Sequence, residues 1–300
     1  MNTLHNDSTD KPRDAASVVL LRNGPAGLEV LLQRRNVRAG VLGGMYVFPG
    51  GKLDAADRSP AWLDCLDQPH STLHTQLGEA ETTAETAAAL YVAALREMFE
   101  EAGILMAEHE DGTAIAPGEQ PRMFERLRAE LQAGREWPSA LTSLGLRPLT
   151  RGMRPWSRWI TPRNPPVGTP RFDTRFFLAV LPAGQEVQHD DHEAVESIWL
   201  TPQTALQRYW DREIELIPPQ LMGLAQLARH SSAKSAWQEA LQRTPPCVQP
   251  EQFDEDGVRV MCYPGDPRHP VRARALPGPT RLRFVAKRFE PVNGFQGWME

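Results

Sequence analysis

The chain has 300 residues, 41% hydrophobic and 24% charged, enough apolar material for one large domain or two small ones. Its net charge of −5 excludes a general basic field for duplex nucleic acid, and its longest apolar runs, such as Ala15 to Leu21, are far too short to cross a bilayer. Three unevenly spaced cysteines, Cys65, Cys247 and Cys262, exclude a disulfide framework and a CxxC zinc site.

Residues 1–13 are polar without periodicity and are expected to form a disordered tail. No basic-then-apolar leader pattern occurs there, so a cytoplasmic setting is expected. Ala15 to Leu21 and Leu28 to Leu32 predict a hairpin joined through Asn23-Gly24-Pro25-Ala26-Gly27, a five-residue connection. Met45 to Phe48 is a third short apolar run, stopped by Pro49-Gly50-Gly51. Residues 52–82 are polar, with a short helix expected around Pro60 to Leu66. From Thr83 to Ala102 the pattern is strongly helical, and Gly103 stands where a helix ends on a left-handed residue. Ile104 to Met106 predicts a returning strand.

A helix is expected over Gln120 to Leu131, then strands over 155–161 and 171–180 with a Pro-rich stretch between them. In an extended strand Trp156 and Trp159, three apart, would face opposite sides. Ser197 to Leu200 predicts a short strand, Thr201-Pro202 opens a helix, and 218–243 reads as helical from Pro218-Pro219 onward. Residues 244–300 form a C-terminal extension rich in Pro and Gly, with short strands at 258–263 and 281–286. Tight hairpins alternating with helices predict an α+β domain over 14–243 and exclude a purely parallel sheet.

The chemistry concentrates in Arg96-Glu97-Met98-Phe99-Glu100-Glu101-Ala102-Gly103-Ile104. At 100° per residue Glu97, Glu100 and Glu101 share one narrow helix face, while Tyr91, Leu95, Met98 and Ala102 share another. Like charges at that spacing repel, and they stand at the end of the helix dipole that disfavours anions. A cation offsets both, and hard oxygen donors suit Mg²⁺ or Mn²⁺. On its own, Glu-x-x-Glu-Glu is more often a solvated acidic face. The interleaved Arg147, Arg151, Arg154, Arg158 and Arg163 carry little weight for single-stranded nucleic acid in an acidic chain.

That segment matches the second half of the Nudix box, R-E-U-x-E-E-x-G-U, at every defined position, and Phe48-Pro49-Gly50-Gly51 resembles the strand and glycine that open the box. Between Gly51 and Arg96 lie 44 residues where the uninterrupted box has 13, so 31 extra residues split it, assigned to an insertion at 52–82. Phe48 to Asp57, Trp156 to Pro162, Arg171 to Phe177 and Ile217 to Gln220 resemble the peroxisomal coenzyme A diphosphatases of animals, a likeness over about residues 15–225.

The resemblance implies a Nudix fold, a mixed sheet sandwiched between helices. It implies a metal-dependent hydrolase of nucleoside diphosphate derivatives. The leading substrate is coenzyme A or acyl-CoA, cleaved to 3′,5′-ADP and a 4′-phosphopantetheine. NADH, ADP-ribose and dinucleoside polyphosphates are the alternative substrates, and a nucleotide-binding domain without turnover is the second alternative. Glu97 and Glu101, assisted by Glu100 and the carbonyl of Gly50, would hold Mg²⁺ or Mn²⁺. Arg96 would brace helix to loop. The first glutamate of the box has Ala88 in its place, eight before Arg96, with Asp54, Asp57 and Glu85 as possible substitutes. Glu193, six before Trp199, is the expected general base. Arg35, Arg38 and Arg171, with Arg175, are candidate phosphate holders. The expected partners are a small-molecule nucleotide and a second copy in a homodimer, with neither nucleic acid nor membrane.

Overall fold

Alternation along the first strand decides the architecture. In β1 (Arg13–Gly24), Ala16, Val18 and Leu20 enter one apolar cluster while Val19 and Leu21 enter another. Side chains alternate across a strand, so both faces of this sheet are buried and both need a helical cover. The computed structural model describes residues 11–37, 42–165, 170–188 and 194–300. Residues 1–10 of the expected tail lie outside them.

The strands β2 (Gly27–Arg35), β3 (Tyr46–Val47) and β4 (Gly50–Lys52) follow, then the helices α1 (Pro60–Leu63), α2 (His70–Leu77) and α3 (Ala84–Ala102). Next come β5 (Ala107–His109), α4 (Gln120–Gln132), α5 (Trp137–Ser143) and β6 (Leu146–Pro148). The strands β7 (Met153–Ile160), β8 (Phe172–Val180) and β9 (Ala194–Leu200) lead into α6 (Pro202–Trp210), α7 (Pro218–Leu227) and α8 (Ala233–Gln242). Five strands close the chain: β10 (Cys247–Val248), β11 (Glu251–Glu255), β12 (Val258–Cys262), β13 (Arg281–Val285) and β14 (Arg288–Pro291).

Among the described residues, eight strands form a mixed sheet in the order β10-β7-β8-β1-β2-β3, with β4 on β1 and β9 on β2. β1 runs parallel to β8 and antiparallel to β2 and β4. α2 and α3 cover one face; α6, α7 and α8 cover the other. β11 to β14 form a second, antiparallel sheet. Its Met261 and Leu282, with Tyr263 and Trp298 nearby, join the core beneath α6–α8.

Several elements depart from expectation for identifiable reasons. The first hairpin has a two-residue loop, Pro25-Ala26, because Gly24 pairs with Gly27 and Gly27 takes φ 112°, open only to glycine. Ile104 to Met106 is buried but is not a strand. The carboxamide of Gln185 satisfies the Leu105 backbone in place of a neighbouring strand, accepting from its N–H at 2.9 Å and donating to its carbonyl at 2.8 Å. The 218–243 helix is broken into α7 and α8, the latter capped by Ser232. Trp156 and Trp159 lie in the same core cluster, because a bulge between Pro155 and Ser157 shifts the strand by one residue. Among the described residues, no helix is long and apolar enough to cross a membrane.

Candidate active site

α3 is held at both ends. The Thr83 hydroxyl accepts from the Thr86 N–H at 3.1 Å, and Gly103 closes the helix at φ 67°. Its buried stripe fixes the helix against β1, and that fixes where the glutamates emerge. Glu97 and Glu101, one turn apart, reach the glycines of β4. The Gly50 N–H donates to Glu101 Oε2 at 2.7 Å, and Arg35 Nη1 lies 3.7 Å from Glu101 Oε1. A Cβ on Gly51 would stand 2.2 Å from Glu97 Oε1, so only glycine leaves room for that carboxylate. Gly50 approaches β1 so closely that its own Cβ would meet the Ala16 carbonyl at 2.4 Å.

Arg96 ties these parts together. Its Nε and Nη2 donate to both oxygens of Asp57, at 2.8 and 2.9 Å, while Nη1 donates to Glu97 at 2.8 Å and to Glu100 at 2.9 Å. Burial opposes its charge. The bond to Asp57 and the charges of Glu97, Asp57 and Glu100 outweigh that and hold the guanidinium pKa above its ordinary value. Asp57 is only 1% exposed and also accepts from the Asp54 N–H at 2.9 Å. The other two acids are placed less well: Asp54 is half exposed beside Lys52 and reaches Arg96 Nη2 only at 3.7 Å, and Glu85 sits on the exposed first turn of α3 with Thr83. The geometry therefore selects Asp57 as the partner of Arg96. The signal was present in the spacing. Asp57 is six after Gly51, the slot eight before the arginine in an uninterrupted box, and the extra residues conceal it.

A cavity of about 630 Å³ opens beside β4. Arg35, Gly50, Gly51, Lys52, Glu97 and Glu101 line its charged side, and residues of β1, β3, β7, β8, α7 and β12 line most of the rest. Glu100 does not join them. It shares the Arg96 Nη1 with Glu97, accepts from the Trp137 indole N–H at 3.1 Å, and lines a separate cavity with Trp62, Phe99 and Trp137. Arg171 donates to the carbonyls of Thr161 and Pro162, two residues that line the main cavity. Arg175 is 3% exposed and committed to Glu79 and Asp14, so it cannot serve a substrate phosphate. Arg38 and Glu193 lie outside the described residues. Glu196, at the end of the same acidic segment, accepts from the Tyr46 hydroxyl at 2.6 Å; burial and this bond push that hydroxyl up to about 12.

Among the described residues, no three His, Cys, Asp or Glu side chains converge as a ready metal centre. Glu97 and Glu101 nevertheless fit a divalent ion. They are hard oxygen donors lining one cavity with the Gly50 backbone, and Mg²⁺ typically binds through one or two carboxylates, waters and substrate phosphates.

Comparison with known proteins agrees with this geometry. The family model described as the NUDT19 Nudix domain matches residues 12–227. The chain is 32% identical to the acyl-coenzyme A diphosphatase NUDT19 of Homo sapiens, over 85% of this chain and 79% of that protein. It is 30% identical to the Gallus gallus protein of the same name, over 73% and 69%. The crystal structure of a Nudix hydrolase from Alicyclobacillus acidocaldarius, 28% identical, superposes with a TM-score of 0.58 over 77% of this chain and 97% of that one. With the split box, the paired Arg96 and Asp57 and the mixed sheet in place, the chain belongs to the NUDT19 branch of the Nudix hydrolases.

Proposed function

We infer that this chain hydrolyses the diphosphate of coenzyme A or an acyl-CoA to 3′,5′-ADP and the corresponding 4′-phosphopantetheine. One observation carries the reading: Glu97 and Glu101 share a cavity with Arg35, Lys52 and the Gly50-Gly51 turn, in a chain whose relatives are named for that cleavage. Water adds to one phosphorus, the bridging oxygen leaves with the other phosphate, and two phosphomonoesters result. Glu97 and Glu101, with the Gly50 carbonyl, would hold Mg²⁺ or Mn²⁺. When bound, such an ion supplies the positive charge that lets water approach an anionic diphosphate.

The chain's own groups do the remaining work. Arg96 aims Glu97 and is itself aimed by Asp57. Glu100 accepts from the same Arg96 Nη1 as Glu97 and steadies it. Arg35 and Lys52 supply cations for substrate phosphates at the cavity. Glu193 is the proposed general base, a role resting on its place six residues before Trp199. A cytoplasmic setting rests on three free cysteines, Cys65, Cys247 and Cys262.

The test is a substrate panel with Mg²⁺ and with Mn²⁺, products identified by mass: coenzyme A, acetyl-CoA, NADH, ADP-ribose and a diadenosine polyphosphate. The expected result is 3′,5′-ADP from the coenzyme A species, lost in Glu101→Gln and reduced about 10²–10⁴-fold in Glu193→Gln. Cleavage of another member alone would overturn the substrate and retain the hydrolase. No cleavage of any member would favour a domain that binds without turnover.

A further inference from the structure

The main cavity is divided by chemistry. Its charged side chains all come from β2, β4 and α3, namely Arg35, Lys52, Glu97 and Glu101. The walls contributed by β7, β8, α7 and the C-terminal sheet carry no charge. Trp159, Phe172, Phe176, Ile217 and Met261 make those walls apolar. A phosphorylated nucleoside placed against them would leave its phosphates without a counter-charge. A neutral arm needs no counter-charge there.

Three polar side chains interrupt this surface, Thr161, Thr174 and Gln220. Gln220 on α7 is 4% exposed, lines the cavity, and its side-chain oxygen has no hydrogen-bond partner. Buried carboxamides are almost always satisfied, so an enclosed, unpartnered acceptor on a residue of the cavity wall marks the place of a missing donor. By contrast, the Ser17 hydroxyl donates to the Pro49 carbonyl and the Thr161 hydroxyl accepts from the Phe172 N–H, while on the charged side the Arg35 Nε is likewise without a partner.

We propose that the uncharged side of the cavity holds the pantetheine arm and its acyl group, with Gln220 accepting a hydrogen bond from an arm amide N–H and Met261 forming a wall against the acyl chain. This rests on the coenzyme A reading above. It makes Gln220 and Met261 specificity residues. Met261 belongs to β12, beyond residue 227 where the family match ends. The diphosphate then bridges from the uncharged side to Glu97 and Glu101, and the nucleotide with its 3′-phosphate lies toward Arg35 and Lys52.

The test measures binding rather than turnover. Wild type, Gln220→Leu and Met261→Trp are titrated calorimetrically with S-hexanoyl-4′-phosphopantetheine and with 3′,5′-ADP, in the presence of Mg²⁺. Each substitution should weaken the acyl ligand about tenfold and leave 3′,5′-ADP within roughly twofold. Equal weakening of both ligands, weakening of 3′,5′-ADP alone, or no change in either overturns the assignment. The near-isosteric Gln220→Met replaces the leucine variant if that variant melts early. Hydrolysis of hexanoyl-CoA by wild type is followed in parallel. Selective weakening without hydrolysis sinks the activity and keeps the arm site, whereas hydrolysis without selective weakening sinks the arm site alone.

Discussion

At the scale of single residues, Arg96 organises the site, because its guanidinium spans three carboxylates that would otherwise repel one another. Asp57 is the anchor of that arrangement, at 1% exposure and bonded to both Nε and Nη2. Asp57→Asn keeps the shape and removes the charge; it should raise the Mn²⁺ concentration needed for half-activation about 10–100-fold, as loss of an outer partner of a metal ligand does. Glu85→Gln, on the exposed first turn of α3, should leave that titration unchanged. A reversed order would remove Asp57 from its place beside Arg96. Gly51 is as constrained as the acids, since an added Cβ would displace the Glu97 carboxylate. Gly51→Ala should lower kcat by about 10²-fold, the effect of misplacing a reacting group by about 1 Å, while the melting temperature moves little. Full activity in that variant would mean that Glu97 is not held where the reaction needs it.

At the scale of elements, the strongly patterned pieces are the ones the sequence predicts well. The α3 stripe and its Gly103 stop are local signals, and both form as expected. Elements settled by a distant partner escape such reading. The bulge in β7 puts Trp156 and Trp159 on one face, and only pairing with β8 reveals it. The short strand β5 is another case. Its Glu108 is 2% exposed and pairs with Arg147 and Arg151, two side chains about 40 residues away. Burial works against the Glu108 charge, but hydrogen bonds from Arg151 and Arg147 outweigh it and hold the carboxyl below its usual range. The unfolded chain therefore takes up this proton first as pH falls, and the stabilisation is present at neutral pH and lost in acid. Glu108→Gln should destabilise the protein by about 1–3 kcal/mol at pH 7. Urea melts at descending pH should show the gap to wild type closing below about pH 4. A gap that persists at pH 3 would mean that the contribution is packing and not charge.

At the scale of the molecule, residues 244–300 are part of the core. Val248 pairs β10 to β7 and is fully buried, as are Leu282 and Trp298, while Tyr263 and Met261 are nearly so. Each such side chain contributes about 1.5–3 kcal/mol on burial, so together they rival the roughly 5–15 kcal/mol net stability of a typical domain. A chain ending at Arg243 should lose its cooperative thermal transition, followed by circular dichroism. A truncated chain that melts sharply and near the wild-type temperature would show instead that the extension is an appendage.

Local sequence alone determined the carboxylate helix, the glycine turn after Phe48 and the hairpin strands that precede it. These follow from 3.6- and 2-residue periods and from the backbone freedom of glycine, which need no knowledge of distant partners. Tertiary structure decided which acid Arg96 holds most tightly, that Glu100 lines a different cavity from Glu97 and Glu101, and that Arg175 is spent on Glu79 and Asp14. It also brought Met261, from the end of the chain, to the wall of the cavity. Each of these is a contact between residues far apart in sequence, where many partners satisfy the same local pattern and only the packed fold selects one.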